Sequence, residues 1–204
     1  MRPATASAKR LPAMSDRPLG AILAGGAGSR MGGDKAMAEL GGRPLIAHIA
    51  AALDAAGCDV VAVGRTEAVA GIRAVPDDAG GRGPAAGLRT ALRVAGGRPV
   101  VLVATDQPLL IPDTVASMLQ LHGVAVVPIA DGTRQVLCAV YRDTCLEPLE
   151  ALLATDPAPS LQRLLDDLPF RTVLEAEWRG WGEDGRSWRS IDTPDELAAL
   201  QAGR

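Results

Sequence analysis

Residues 19–37 read LGAILAGGAGSRMGGDKAM, and the architecture can be read outward from this stretch. Leu19–Ala24 is a short uncharged run of small and aliphatic side chains, the pattern of a strand covered on both faces of a sheet. Glycines at positions 25, 26, 28, 32 and 33 follow it directly. Without a Cβ, the backbone of such a turn can bring its N–H groups close to phosphate oxygens. Arg30 and Lys35 add two cations. An ammonium beside an α-phosphate stabilises the charge that builds there when the phosphorus is attacked. The turn lacks the GKS or GKT ending of a P-loop, and no acidic residue closes the next strand, so the dinucleotide-binding fingerprint is absent as well.

Beyond the turn, apolar strand-like runs alternate with helical ones. Pro44–Ala56 places Leu45, Ile46, Ile49 and Leu53 on one helical face, and Gly57 stops it. Asp59–Val63 and Ile72–Val75 read as strands, Ala85–Val94 as a helix, and Pro99–Ala104 as a buried strand. Pro112–Leu121 opens with proline at a helix start. Val124–Ile129, a turn at Asp131–Gly132 and Val136–Tyr141 read as strand, turn, strand. Helices are expected at Leu146–Leu153 and Leu161–Leu168. A last one at Thr193–Leu200 carries a capping box of Thr193 and Glu196. Trp178–Trp188 is glycine-rich and polar between tryptophans and reads as a loop that the indoles pin to the core. The alternation predicts an α/β fold, a three-layer α/β/α sandwich around a mainly parallel sheet. Residues 1–17 are expected to form a flexible extension and 18–204 a single domain.

Asp106 lies in VATDQP at the carboxyl end of a buried strand, where open α/β sheets bind ligands. Asp77 and the segment Gly83-Pro84-Ala85-Ala86-Gly87 follow an earlier strand. At this point the chain resembles a known family. LAGGAGSRMGGDKA followed by LGGRPL is similar to the motifs of the NTP-transferase superfamily, most closely the molybdenum cofactor guanylyltransferases, over residues 19 to 200. The resemblance implies a Rossmann-like N-terminal half of the nucleotide-diphospho-sugar transferase type. It also implies transfer of GMP from GTP onto the phosphate of a molybdopterin-type acceptor, with release of pyrophosphate. Catalysis falls to Lys35, Arg30 and Asp106. The nucleotide falls to Leu23, Ala24, Gly25, Gly26, Gly28, Lys35, Asp77, Gly83, Pro84, Gly87 and Asp106, with Gly26 leaving room for a purine. Magnesium falls to Asp106 and Asp192, and the acceptor to Arg82 and Gln135.

Four positions depart from the family pattern. SIDTPDEL has Asp192 where guanylyltransferases usually carry asparagine, DGTRQVLCAVYR has Gln135 and Val136 for histidine and proline, and Ala62 replaces an asparagine found in some relatives. Three readings therefore stay open beside the first: a cytidylyltransferase of the same cofactor, a nucleotidyltransferase for another phosphorylated small molecule, and a non-catalytic nucleotide-binding adaptor. Molybdoenzyme maturation proteins are further partners that the resemblance implies.

Composition narrows the rest. Net charge is −3, which argues against a nucleic-acid binder relying on a basic surface. No apolar run reaches the roughly 18 residues of a membrane span. Three cysteines without metal-ligand spacing fit reduced, buried thiols in a cytoplasmic protein. Both histidines, His48 and His122, fall on expected helices away from the motifs and are read as structural.

Overall fold

The computed structural model describes residues 16–25, 34–77 and 82–202. The expected extension up to residue 15, and Gly26, Gly28 and Arg30 of the glycine-rich turn, lie outside the described residues.

The N-terminal half winds in both directions from its first strand, β1 (Leu19–Leu23). After a 3-10 turn at Lys35–Met37 and a small hairpin, β2 (Glu39–Leu40) and β3 (Arg43–Pro44), helix α1 (Leu45–Ala55) returns the chain to β4 (Asp59–Val63) and β5 (Arg73–Val75). Helix α2 (Gly83–Ala95) then crosses over to β6 (Val100–Ala104) on the other side of β1. β4 and β6 both pair with β1 in parallel, Leu19 standing opposite Asp59 on one side and Val100 on the other. The order β5-β4-β1-β6 is Rossmann-like, with its switch point between β1 and β6.

The C-terminal half extends the same sheet. Helix α3 (Pro112–Gln120) leads to β7 (Ala125–Ala130), β8 (Thr133–Arg134) and β9 (Cys138–Tyr141). β9 inserts antiparallel between β6 and β7, while β8 forms a short hairpin with β7. Helices α4 (Leu146–Thr155) and α5 (Leu161–Asp166) precede β10 (Arg171–Val173), which pairs in parallel with β7 at the edge. Helix α6 (Glu175–Arg179), a 3-10 turn at Arg186–Trp188 and helix α7 (Pro194–Ala202) end the described chain.

Alternating side chains fill two layers of core, as the period of two in a strand requires. Ile22, Val101, Val103, Val126 and Val140 face α1, α3 and the tryptophans. Ala21, Val61, Leu102, Val127 and Tyr141 face α2, α4 and α5. The expected face of α1 is fully buried at Leu45, Ile46, Ile49 and Leu53. Gly20 makes room for it, since a Cβ there would lie 3.0 Å from Leu53 Cδ1. The three-layer sandwich and the mainly parallel sheet are as the sequence predicts. Among the described residues, no helix is long and apolar enough to cross a membrane.

Three local expectations are corrected. Trp178–Trp188 is only partly a loop, because Trp178 sits on α6 and Trp188 on the last 3-10 turn. Both indoles are buried, edge to face with centroids 5.9 Å apart, and Trp178 Nε1 donates to Ile129 O (2.9 Å). Apolar burial of two such rings outweighs the weak local helix signal of the segment. Helix α2 begins at Gly83, two residues before the expected start, since proline in a first turn forfeits no hydrogen bond. α3 ends at Gln120, so His122 is not helical.

Candidate active site

The site forms where β1, β4 and β6 end on the same edge of the sheet. Two backbone bonds tie the ends of β1, β4 and β5 together: Ala24 N donates to Val63 O and Gly64 N donates to Val75 O, both at 2.9 Å. Gly25 and Gly64 then meet back to back. A Cβ on Gly64 would lie 2.6 Å from Gly25 Cα and 3.2 Å from an Asp77 carboxylate oxygen, and Gly64 has φ +87°. Only glycine reconciles that backbone with that approach.

Leu23, Gly25, Val63, Asp77, Arg82, Gly83, Pro84 and Gly87 line one cavity of about 270 Å³. Gly87 opens it, because a Cβ there would lie 2.4 Å from Leu23 Cδ2. Arg65, which follows Gly64, donates from Nε to Ala24 O (3.1 Å) and pairs with Asp34. The hydrogen bond that the Arg65 guanidinium donates to Asp34 holds the Asp34 carboxyl below its usual range. Asp34 also caps the 3-10 turn that carries Lys35, accepting from Ala36 N (3.2 Å).

Lys35 is the hub of the charged half. Its Nζ lies 2.8 Å from Asp192 Oδ1 and 3.4 Å from Asp106 Oδ2. Asp106 lies just past β6, after Thr105, and its carbonyl accepts from Ile191 N (2.8 Å), which draws the segment before α7 onto the end of that strand. The capping box closes as its sequence predicts: Glu196 N donates to Thr193 Oγ1 (3.2 Å) and Thr193 N to Glu196 Oε2 (3.0 Å). Asp192 N donates to the same Glu196 oxygen (2.7 Å). Burial raises the Asp106 carboxyl above its ordinary value, Lys35 opposes the rise, and the Asp192 charge adds to it.

A second cavity, of about 510 Å³, opens at the end of β7. Gln135, Asp131, Trp178, Trp188, Arg186 and Arg189 are among its walls. Arg82 and Gln135, expected together on the acceptor side, therefore line different cavities, and Arg82 stands with Leu23, Gly25, Asp77 and Gly87.

The structure thus gathers Lys35, Asp106 and Asp192 at one point and Leu23, Gly25, Asp77, Gly83, Pro84 and Gly87 around one cavity. Gly64, Arg65 and Asp34 were not singled out from sequence. The signal was the position of Gly64 and Arg65 just past a strand end, where ligand loops gather in open α/β sheets. Cys58, Cys138 and Cys145 are buried free thiols, with burial pushing Cys58 and Cys145 up to about 11. Among the described residues, no three or more His, Cys, Asp and Glu side chains gather to hold a metal ion.

A glycine-lined pocket and a lysine between two carboxylates, at the switch point of a Rossmann-like half-sheet, define a nucleotidyltransferase. Residues 20–175 match the MobA-like NTP transferase domain, and the chain belongs to that family. The chain is 32% identical to the molybdenum cofactor guanylyltransferase of Desulfosudis oleivorans, over 93% of this chain and 98% of that protein. With the enzyme of the same name from Rhizobium leguminosarum bv. trifolii the identity is 33%, over 89% and 90% of the two chains. Among solved structures, molybdopterin-guanine dinucleotide biosynthesis protein A from Archaeoglobus fulgidus superposes with a TM-score of 0.77 at 25% identity, covering 90% of this chain and 97% of that one.

Proposed function

We propose that this enzyme transfers GMP from GTP to the terminal phosphate of a molybdopterin-type acceptor. An acceptor phosphate oxygen attacks the α-phosphorus in line, a new P–O bond forms, and the bond to the β-phosphate oxygen breaks to release pyrophosphate. The observation that carries the reading is the meeting of Lys35 with Asp106 and Asp192 beside the glycine-lined cavity, in a chain whose family relatives bear this activity in their names.

In this reading Leu23, Ala24, Gly25, Asp77, Gly83, Pro84 and Gly87 hold the nucleoside, and Gly26, Gly28 and Arg30 meet its phosphates. Lys35 stabilises charge that develops on the transferring phosphoryl group. Because the acceptor phosphate is already a nucleophile, no covalent protein intermediate is needed, and positioning supplies much of the rate. The residues also suit a magnesium ion. Asp106 and Asp192 offer hard oxygen donors, and the cation already standing between them is the Lys35 ammonium. When bound there, magnesium would neutralise phosphate charge.

The acceptor takes the cavity beside Gln135. Gln135 itself favours a second reading, in which the acceptor is a different phosphorylated small molecule. Pyrophosphate release from each of GTP, CTP, ATP and UTP against molybdenum-loaded molybdopterin separates the two. Turnover with GTP alone is expected. Binding of GTP without turnover would move the search to other phosphorylated acceptors, and turnover with CTP would make the enzyme a cytidylyltransferase.

A further inference from the structure

Asp192 needs an anchor that its own helix does not supply. None of the residues of α7 is buried, and its far end reaches the rest of the chain through Gln201 Nε2, which donates to Glu39 O (2.8 Å). Upstream, the chain is held much more firmly. Glu183 is 2% exposed, and both of its carboxyl oxygens are occupied. Oε1 accepts from Gly185 N (2.8 Å) and Ser187 N (3.3 Å), while Oε2 accepts from Thr114 Oγ1 (2.8 Å) and from Ser187 Oγ. Ser187 Oγ in turn accepts from Ile111 N (2.9 Å).

A buried carboxyl is retained at low cost only when such donors satisfy it. Here the donors come from two segments. Gly185 and Ser187 belong to the arm that leads to Asp192, whereas Thr114 belongs to the chain that leaves Asp106 for α3, and Ile111 of that chain adds a donor to Ser187 Oγ. Glu183 therefore fastens the arm to the segment that follows the other carboxylate. A few residues on, Ile191 N donates to Asp106 O, and Asp192 reaches Lys35.

We propose that Glu183 is a positioning residue, fastening the arm so that Asp192 meets Lys35 and Asp106. The proposal rests on the GMP-transfer reading for its catalytic consequence but not for its structural one, and the test keeps them apart. Amide exchange at Ile191, followed by NMR, reports the fastening without reference to activity. Pyrophosphate release reports its consequence.

In folded Glu183→Ala, Ile191 exchange is expected to rise by tenfold or more, with kcat falling about 10- to 100-fold and little change in KM for GTP. Combined with Asp192→Asn, the loss should not exceed that of the more damaging single change, because both act through one carboxylate. Should Glu183→Ala fail to fold, Thr114→Val, which removes one of the donors and keeps the shape, should show the same pattern at smaller size. Unchanged Ile191 exchange, or losses of rate that multiply in the double variant, would overturn the proposal. Faster exchange with kcat unchanged would also overturn it. An inert Asp192→Asn beside an impaired Glu183→Ala would exclude Asp192 as the link and refute the proposal, leaving GMP transfer itself to stand on the nucleotide assay.

Discussion

The Lys35 ammonium lies 2.8 Å from Asp192, a residue 157 positions further along the chain, and 3.4 Å from Asp106. A single cation thus holds together two carboxylates, one from the end of β6 and the other from the segment before α7. Lys35→Ala should leave them facing each other uncompensated and remove charge stabilisation at the transferring phosphoryl group. We expect kcat for pyrophosphate release to fall about 10²- to 10³-fold while GTP binding stays measurable. Asp106→Ala should lower it at least as far. Unchanged turnover in either variant would remove the mechanism.

The same geometry sets a pH dependence. The Asp106 carboxyl is raised above 3.8 chiefly by burial, lowered by Lys35 and raised further by Asp192. Folding thus disfavours its ionised form relative to the unfolded chain. Its stability contribution is present below the unfolded value and is lost as pH rises through the raised one. In nucleotide-free protein, NMR titration of Asp106 should therefore show a value above 3.8. Lys35→Ala should move it up, and Asp192→Asn should move it down. The opposite signs would mean that the three side chains do not meet in solution.

Gly64 and Gly42 separate backbone strain from steric contact. Both have positive φ, +87° and +75°, but a Cβ on Gly42 meets nothing within 4 Å. Gly42→Ala should cost only the left-handed conformation, about 1–2 kcal/mol by denaturant unfolding. Gly64→Ala should cost more, because its Cβ would also press on Gly25. It should raise KM for the nucleotide through displacement of that glycine. Equal losses in the two variants would deny the contact.

Arg189 tests the acceptor cavity. Arg179 and Arg186, on the same walls, are paired with Glu175 and Asp184, while Arg189 is exposed and makes no side-chain ion pair among the described residues. Arg189→Ala should raise KM for the phosphorylated acceptor by about tenfold or more, the value of a hydrogen bond to a charged group, and leave KM for GTP unchanged. A change in the GTP value alone would place the acceptor elsewhere.

Local pattern carried much of the architecture. The uncharged run at Leu19–Ala24, the helical spacing of Leu45, Ile46, Ile49 and Leu53, and the Thr193–Glu196 capping box each lie within a few residues of their own signal. Trp178 and Trp188 escaped it, since the glycines and charges between them indicate irregular chain, whereas burial of the rings decides the outcome.

By itself, the sequence determined most of the elements and the parallel α/β layering, because strand and helix periodicities and turn chemistry are short-range properties, while the motif residues stood out through resemblance to a family. Only the tertiary structure decided which of those residues meet. Strand order brought Gly64 against Gly25 and set Lys35 between Asp106 and Asp192. It also divided Arg82 from Gln135 and gave Glu183 its donors from two separate segments. The physical reason is that pairing across a sheet is fixed by the packing of both faces together. No window of neighbouring residues records it.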